Sequence, residues 1–259
     1  MTSHNLTSFI ASLQAYRSTI DSFNPWADFD QVYDNAETSP IIRSAHLKEY
    51  LFHRIDRAKY ILVAEAVGFQ GAKFSGIPLS SERILMGYHK EIEPTNILPN
   101  TMFQRTSKIQ AAPSKQVQQK GYAEPTATIA WKLLQQLPVS PYDIIFWNIF
   151  PFHPFKPSAG QLTNRTPRVD ELTLGLEYLN QLIALCPQEV KIIAIGAKSA
   201  NTIGNGCARV AHPANGGATR FRSELPKYVS ASVLRDNILL TGLLIQDTTG
   251  CLNATGLIP

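Results

Sequence analysis

The sequence predicts an α/β protein built on a mostly parallel sheet. Four short apolar runs stop abruptly, at Tyr60–Ala64, Ile144–Trp147, Lys191–Ile195 and Cys207–Ala211. From residue 144 onward helical patterns separate these runs, which is the strand–helix alternation of a parallel α/β sheet. The residues just past the four stops are the third observation: Glu65, Asn148, Gly196 and His212. Ligands of open parallel sheets sit outside the carboxyl ends of the strands, so Glu65, Asn148 and His212 are expected to converge on one pocket. A carboxylate, an amide and an imidazole meeting there would make a reactive site.

Taken in order, residues 5–20 read as an amphipathic helix, with Leu6, Ile10, Leu13 and Ile20 near helical spacing. A second helix is expected over 40–58, leading into the first strand. A glycine-punctuated loop then runs from Gly68 through Gly71 and Gly76 to Pro78, a composition that lets backbone approach something closely. The stretch 99–121 carries Arg105, Lys108, Lys115 and Lys120 with almost no periodicity and is expected to be a mobile basic loop. Pro125 opens a helix whose Ala127, Ala130, Trp131 and Leu134 form a core stripe.

The second strand is expected to end at Asn148, because the prolines of Ile149–Pro157 impose an extended, shaped loop. Thr166 and Pro167 supply an N-cap and a first-turn proline for the next helix, with Asp170 and Glu171 at its positive end. Strands at Lys191 and Cys207 flank a helix from Ala197. After His212, the segment Pro213-Ala-Asn-Gly-Gly217 precedes a helix over 218–225, whose free backbone N–H groups suit an anion. The tail from Val229 to Pro259 has no clear pattern.

With 259 residues, 44% hydrophobic and 17% charged, the chain fits one globular domain with appendages and not a disordered or fibrous protein. A net charge of +4 is compatible with a polyanionic partner without specifying one. Cys186, Cys207 and Cys251 are too few and scattered for a Cys-rich zinc site or a four-thiolate iron–sulfur cluster, and read as reduced thiols. Met1–Ile20 lacks the pattern of a secretory signal, and the longest apolar stretch, near Ile238–Ile245, is far short of a spanning helix. A soluble, cytoplasmic protein is expected.

Several motifs together resemble the uracil-DNA glycosylase superfamily. Ala64-Glu-Ala-Val-Gly68 is similar to the G-E-A-P-G of its thermostable branch, departing at Ala64 and Val67. Gly68-Phe-Gln-Gly-Ala-Lys-Phe-Ser-Gly-Ile-Pro78 keeps the G-x-x-G-x-x-x-x-G-x-P spacing of the single-strand-selective and mismatch-type branches. Asn148 resembles the asparagine that reads uracil, and His212-Pro213 the His-Pro that opens the last motif. The likeness extends through Glu124–Trp131, Trp147–Pro154, Asn164–Pro167 and His212–Ala218. It covers roughly 58–228, leaving 1–57 as an N-terminal helical extension packed on the core and 229–259 as an unassigned tail. Bacterial uracil-DNA glycosylase-like chains without an iron–sulfur cluster show this combination.

The resemblance implies a three-layer α/β/α fold with a central, mostly parallel four-stranded sheet. It also implies a monofunctional, monomeric DNA repair enzyme that flips uracil or another deaminated base out of DNA and hydrolyses its N-glycosidic bond. No metal, redox cofactor, obligate protein partner or membrane is implied. Glu65 would serve the water or the cationic sugar, and His212 would donate to the uracil oxygen as it becomes an anion. Asn148 would pair with the uracil edge, with Gly68, Phe69, Phe74 and Leu79 around the base. Pro213, Ala214, Asn215, Gly216 and Gly217 would form the wedge entering the DNA, with Arg220 and Arg222 beside phosphates. Ala66 stands where other branches carry Asp or Asn, and Leu79 where an aromatic follows the proline. These departures keep a second class open, a nucleic-acid-binding module that has lost the chemistry, and an unrelated small-molecule α/β enzyme is a third.

Overall fold

The computed structural model describes residues 2–99, 103–204 and 207–229. Its helices are α1 (Thr2–Gln14), α2 (Ser39–Phe52), α3 (Ala72–Ser75), α4 (Glu82–Leu85), α5 (Lys115–Lys120), α6 (Pro125–Leu134), α7 (Val169–Ile183), α8 (Ala197–Ile203) and α9, residues 218–229. The strands are β1 (Ser22–Phe23), β2 (Tyr60–Ala66), β3 (Ile144–Phe150), β4 (His153–Pro154), β5 (Lys191–Ile195) and β6 (Ala208–Val210). β2, β3, β5 and β6 form one parallel sheet in the order β3-β2-β5-β6. Helices cover both faces. Side chains alternate along β3, so Trp131 of α6 meets Phe146 on one face and Phe9 of α1 meets Trp147 on the other.

The central strands are apolar on both faces because both are covered. Ile61, Leu62 and Val63 of β2 and Ile144 to Trp147 of β3 are fully buried. Leu6, Ile10 and Leu13 of α1 and Leu47, Tyr50 and Leu51 of α2 join the same core. Residues from 230 onward, with the apolar stretch 238–245 and Cys251, lie outside the described residues.

Several sequence expectations are corrected. α1 stops at Gln14, not at residue 20, since the Thr19 N–H donates to the Ser22 carbonyl (3.0 Å) and turns the chain into β1. Ile20 is 83% exposed and belongs to no helical stripe. α2 ends at Phe52 instead of 58; just beyond it, buried Arg54 donates to the carbonyls of Ile144, Tyr50 and Asn96. The helix expected at Thr166-Pro167 begins at Val169, because Arg168 occupies the cap and Glu171 accepts its backbone N–H at 2.7 Å. The stretch 99–121 is not without regular structure. It contains a 3-10 turn (Ile109–Ala111) and α5, capped by Ser114, and Arg105 donates to the carbonyls of Val117 and Gln118.

Asn148 does not end a strand, as its place before the proline-rich loop suggested; β3 continues through Ile149 and Phe150, and Ala66 pairs with Phe150. The prolines take effect only from Pro151, which follows the last residue of β3 and ends it. Asn148 is therefore held by the ladder itself, level with Ala64.

Candidate active-site cleft

The chain leaves β2 for β3 on one side and later returns to place β5 on the other. Such a switch of direction opens a crevice at the carboxyl ends of the strands. A cleft of about 590 Å³ lies there, and Glu65, Asn148 and His212 all line it, together with Gly68, Leu79, Ala214 and Asn215.

Asn148 is only 3% exposed. Among the described residues, no protein group hydrogen-bonds its side-chain amide. Its nitrogen and oxygen are not sealed in the interior but open on the cleft, where a ligand or water can pair with them. Glu65, one residue past the Ala64 that pairs with Asn148, is half-buried and accepts a hydrogen bond from the Lys198 ammonium at 3.0 Å. Lys198 sits in the first turn of α8 and also donates to the Thr166 hydroxyl at 2.8 Å. The carboxylate is thus tethered across the cleft from a different strand–helix unit.

His212 comes after β6 and folds over Gly196 at the end of β5. An added Cβ at Gly196 would lie 3.3 Å from the His212 Cβ, and the φ of 95° there also requires glycine. Gly196 is therefore more than a turn into α8; it is the seat of the imidazole. Burial pushes the His212 pKa down, with Glu65 pulling the other way. The ring is neutral at neutral pH, and because the Ala214 N–H donates to Nδ1 (3.1 Å), its proton is on Nε2. The free valence of the ring is a donor.

Leu79 holds a left-handed φ of 48°, rare for a side chain of this size. Its carbonyl is gripped by the Trp131 indole N–H at 2.9 Å, which fixes the apolar side chain in the cleft wall. The two phenylalanines do not supply the stacking platform. Phe74 is fully buried, stacked on Tyr122 with the Lys73 ammonium 4.3 Å from its centroid, so no face is open to a base. Phe69 is half-buried, edge-on to Tyr122, and outside the cleft lining. Its N–H donates to the Asn164 side chain at 3.1 Å, which pins the loop after β2.

In the segment after His212, Asn215 (φ 54°) and Gly216 (φ 81°) make a left-handed turn at the cleft mouth. Ala214 and Asn215 line the cleft; Pro213 lines an adjoining cavity of about 240 Å³. Gly216 and Gly217 carry the chain into α9 without lining either. Arg220 is exposed and ion-paired with Glu224 of the same helix, and Arg222 is exposed on α9; neither lines the cleft.

The fold is shared with Pedobacter heparinus SMUG2. The crystal structure of that wild-type protein matches with a TM-score of 0.56 at 14% identity, covering 90% of this chain and 98% of that one. No protein-family model matches this chain, and no curated protein matches it in sequence.

Among the cleft residues that escaped sequence reasoning are Lys198 and Glu124. Lys198 lies far along the chain from Glu65, and only the sheet order brings them together. Glu124, at the N-cap of α6, lines both the cleft and the adjoining cavity, and burial pushes its carboxyl up to about 8. Its sequence signal was an acid before Pro125, which reads as an ordinary helix start. Among the described residues, no cluster of three or more His, Cys, Asp or Glu could hold a metal ion, and no helix is long and apolar enough to cross a membrane.

Proposed function

We propose that this chain is a monofunctional DNA glycosylase that hydrolyses the N-glycosidic bond of a deaminated base, uracil foremost. The observation that carries this is the Asn148 amide, which among the described residues has no protein partner and opens on a cleft that also holds Glu65 and a neutral, donor-bearing His212. An amide presents an acceptor and a donor side by side, which matches the N3–H and O4 edge of uracil and mismatches cytosine. The fold shared with SMUG2, a DNA glycosylase, supports the reading.

In this mechanism the base is flipped into the cleft and lies against Leu79. As the C1′–N1 bond breaks, its electron pair leaves with the base, and the His212 Nε2–H meets the oxygen on which negative charge develops. One preorganised donor of this kind contributes roughly 3 kcal/mol. Water adds at C1′ of the cationic sugar and its proton passes to the Glu65 carboxylate, which Lys198 holds in place. Ala66 supplies no further water-activating group. The turn at Asn215 enters the gap left by the flipped nucleotide.

The test is release of free uracil from a uracil-containing oligonucleotide, with hypoxanthine, xanthine and mismatched thymine in parallel. Release from none of them, together with salt-sensitive DNA binding, would replace this reading with that of a binding module. The short, apolar Ala66 is the observation that favours that second reading.

A further inference from the structure

We infer that Glu124 is a second reader of the cleft, a specificity-determining residue that, as a neutral carboxylic acid, donates a hydrogen bond from its cleft-side oxygen to a carbonyl of the bound base. This rests on the function proposed above. An acid at an N-cap ordinarily turns back to accept from the first N–H groups of its own helix. Glu124 does not; its side chain makes no cap bond and reaches across to the loop after β2. There Oε2 is sealed without a partner, so close to Gly71 that an added Cβ would lie 2.4 Å away. Oε1 lies 3.9 Å from the corresponding point at Gly68, and Gly68 lines the same two cavities as Glu124.

Among the described residues, no cation pairs with this carboxyl. In the loop it faces, Lys73 is bound to Asp30 at 2.8 Å. The cleft's other charged or titratable groups are Lys198, paired with Glu65, Arg165, paired with Glu171 and Asp21, and His212, which is neutral. Desolvation without compensation favours the neutral acid. A proton on the sealed Oε2 would be a buried, unsatisfied donor, whereas on Oε1 it can reach a ligand. A neutral acid also adds no negative charge beside an incoming phosphate backbone. Deprotonated, the same group would confront the lone pairs of a base carbonyl.

The experiment compares wild type, Glu124→Gln and Glu124→Ala, measuring uracil release from an oligonucleotide between pH 6.5 and 9.5. At pH 7 the glutamine variant, whose amide also donates, should stay within about threefold of wild type, and the alanine variant should lose about tenfold in kcat/KM. Wild-type activity should decline above about pH 8 as Glu124 ionises, and Glu124→Gln should abolish that decline. An alkaline decline that survives in Glu124→Gln, or an alanine variant equal to wild type, overturns the inference. If Glu124→Ala does not fold, the glutamine profile decides alone. If wild type releases no base at all, the proposed function fails by itself, and Glu124 is then read by calorimetric titration with free uracil. Binding that weakens with rising pH in wild type but not in Glu124→Gln supports the assignment; pH-independent binding, or none, overturns it.

Discussion

Asn148→Ala separates reading from folding. The side chain is 3% exposed and, among the described residues, has no protein hydrogen bond, so its removal breaks no bond within the fold. The amide opens on the cleft, so truncation relieves no large desolvation cost and loses only a few packing contacts. Stability should change by less than about 1 kcal/mol. In the proposed complex the amide would make two hydrogen bonds to the base edge, each worth about 0.5–1.5 kcal/mol net. Losing both lowers kcat/KM by roughly 5-fold to 150-fold. Single-turnover base release and calorimetric melting read the two quantities independently. Base release at the wild-type rate would refute the role of Asn148. So would a Tm loss of more than about 6 °C, roughly 2 kcal/mol in a domain of this size, since the amide would then be supporting the fold.

Replacing the imidazole in His212→Ala should reduce the release rate by about 10²–10³-fold. Wild-type activity should also fall on the acid side, because a protonated Nδ1 can no longer accept the Ala214 N–H; the lowered pKa places that fall below the ordinary imidazole range, and a pH–rate profile checks it. Gly71→Ala drives a methyl group into Glu124 Oε2 and should destabilise the protein by about 1–3 kcal/mol, read from the urea midpoint. Acid should weaken the fold through two other histidines: burial pushes His46 and His153 down to about 4. Below about 6.5 the unfolded chain takes up protons that the folded rings refuse, so their contribution is full above that pH and is lost progressively toward pH 4. Urea unfolding at pH 7, 6, 5 and 4.5 would show that slope or its absence.

The sheet was legible because the middle of β2, β3 and β5 is covered on both faces and carries short unbroken apolar runs, which a bare sequence displays. Where strands and helices stop was less legible, for reasons visible in particular residues. Pro151 ends β3 from outside, so Asn148 could not be distinguished from a terminal residue. Thr166-Pro167 has the form of a helix start, yet the Thr166 hydroxyl is taken by Lys198 and the cap falls to Arg168, whose N–H Glu171 accepts. The apparent disorder of 99–121 concealed an anchored segment because Glu82, which accepts the N–H groups of Thr106 and Ser107, lies outside it. Of the candidate site, Glu65, Asn148 and His212 do line one cleft, though the first two lie within β2 and β3 and not past their ends. Phe74 looked available because a sequence does not show that Tyr122 already covers its ring. Glu124 and Lys198 were missed because burial and ion pairing between distant segments leave no local pattern.

The placement of Asn148 inside a ladder and of His212 in a turn gives the cleft two halves of unequal stiffness. One half is carried by β2 and β3, whose fully buried residues place it at the slow-opening end of the protein. The other hangs on the Ala214 N–H to the imidazole, the Gly217 N–H to the Ala214 carbonyl, and the single-residue seat at Gly196. Amide hydrogen exchange at Ala214 and Gly217 should accordingly run orders of magnitude faster than at Trp147 and Ile149. The cleft thus has a stiff wall at Asn148 and a softer one at residues 212–217.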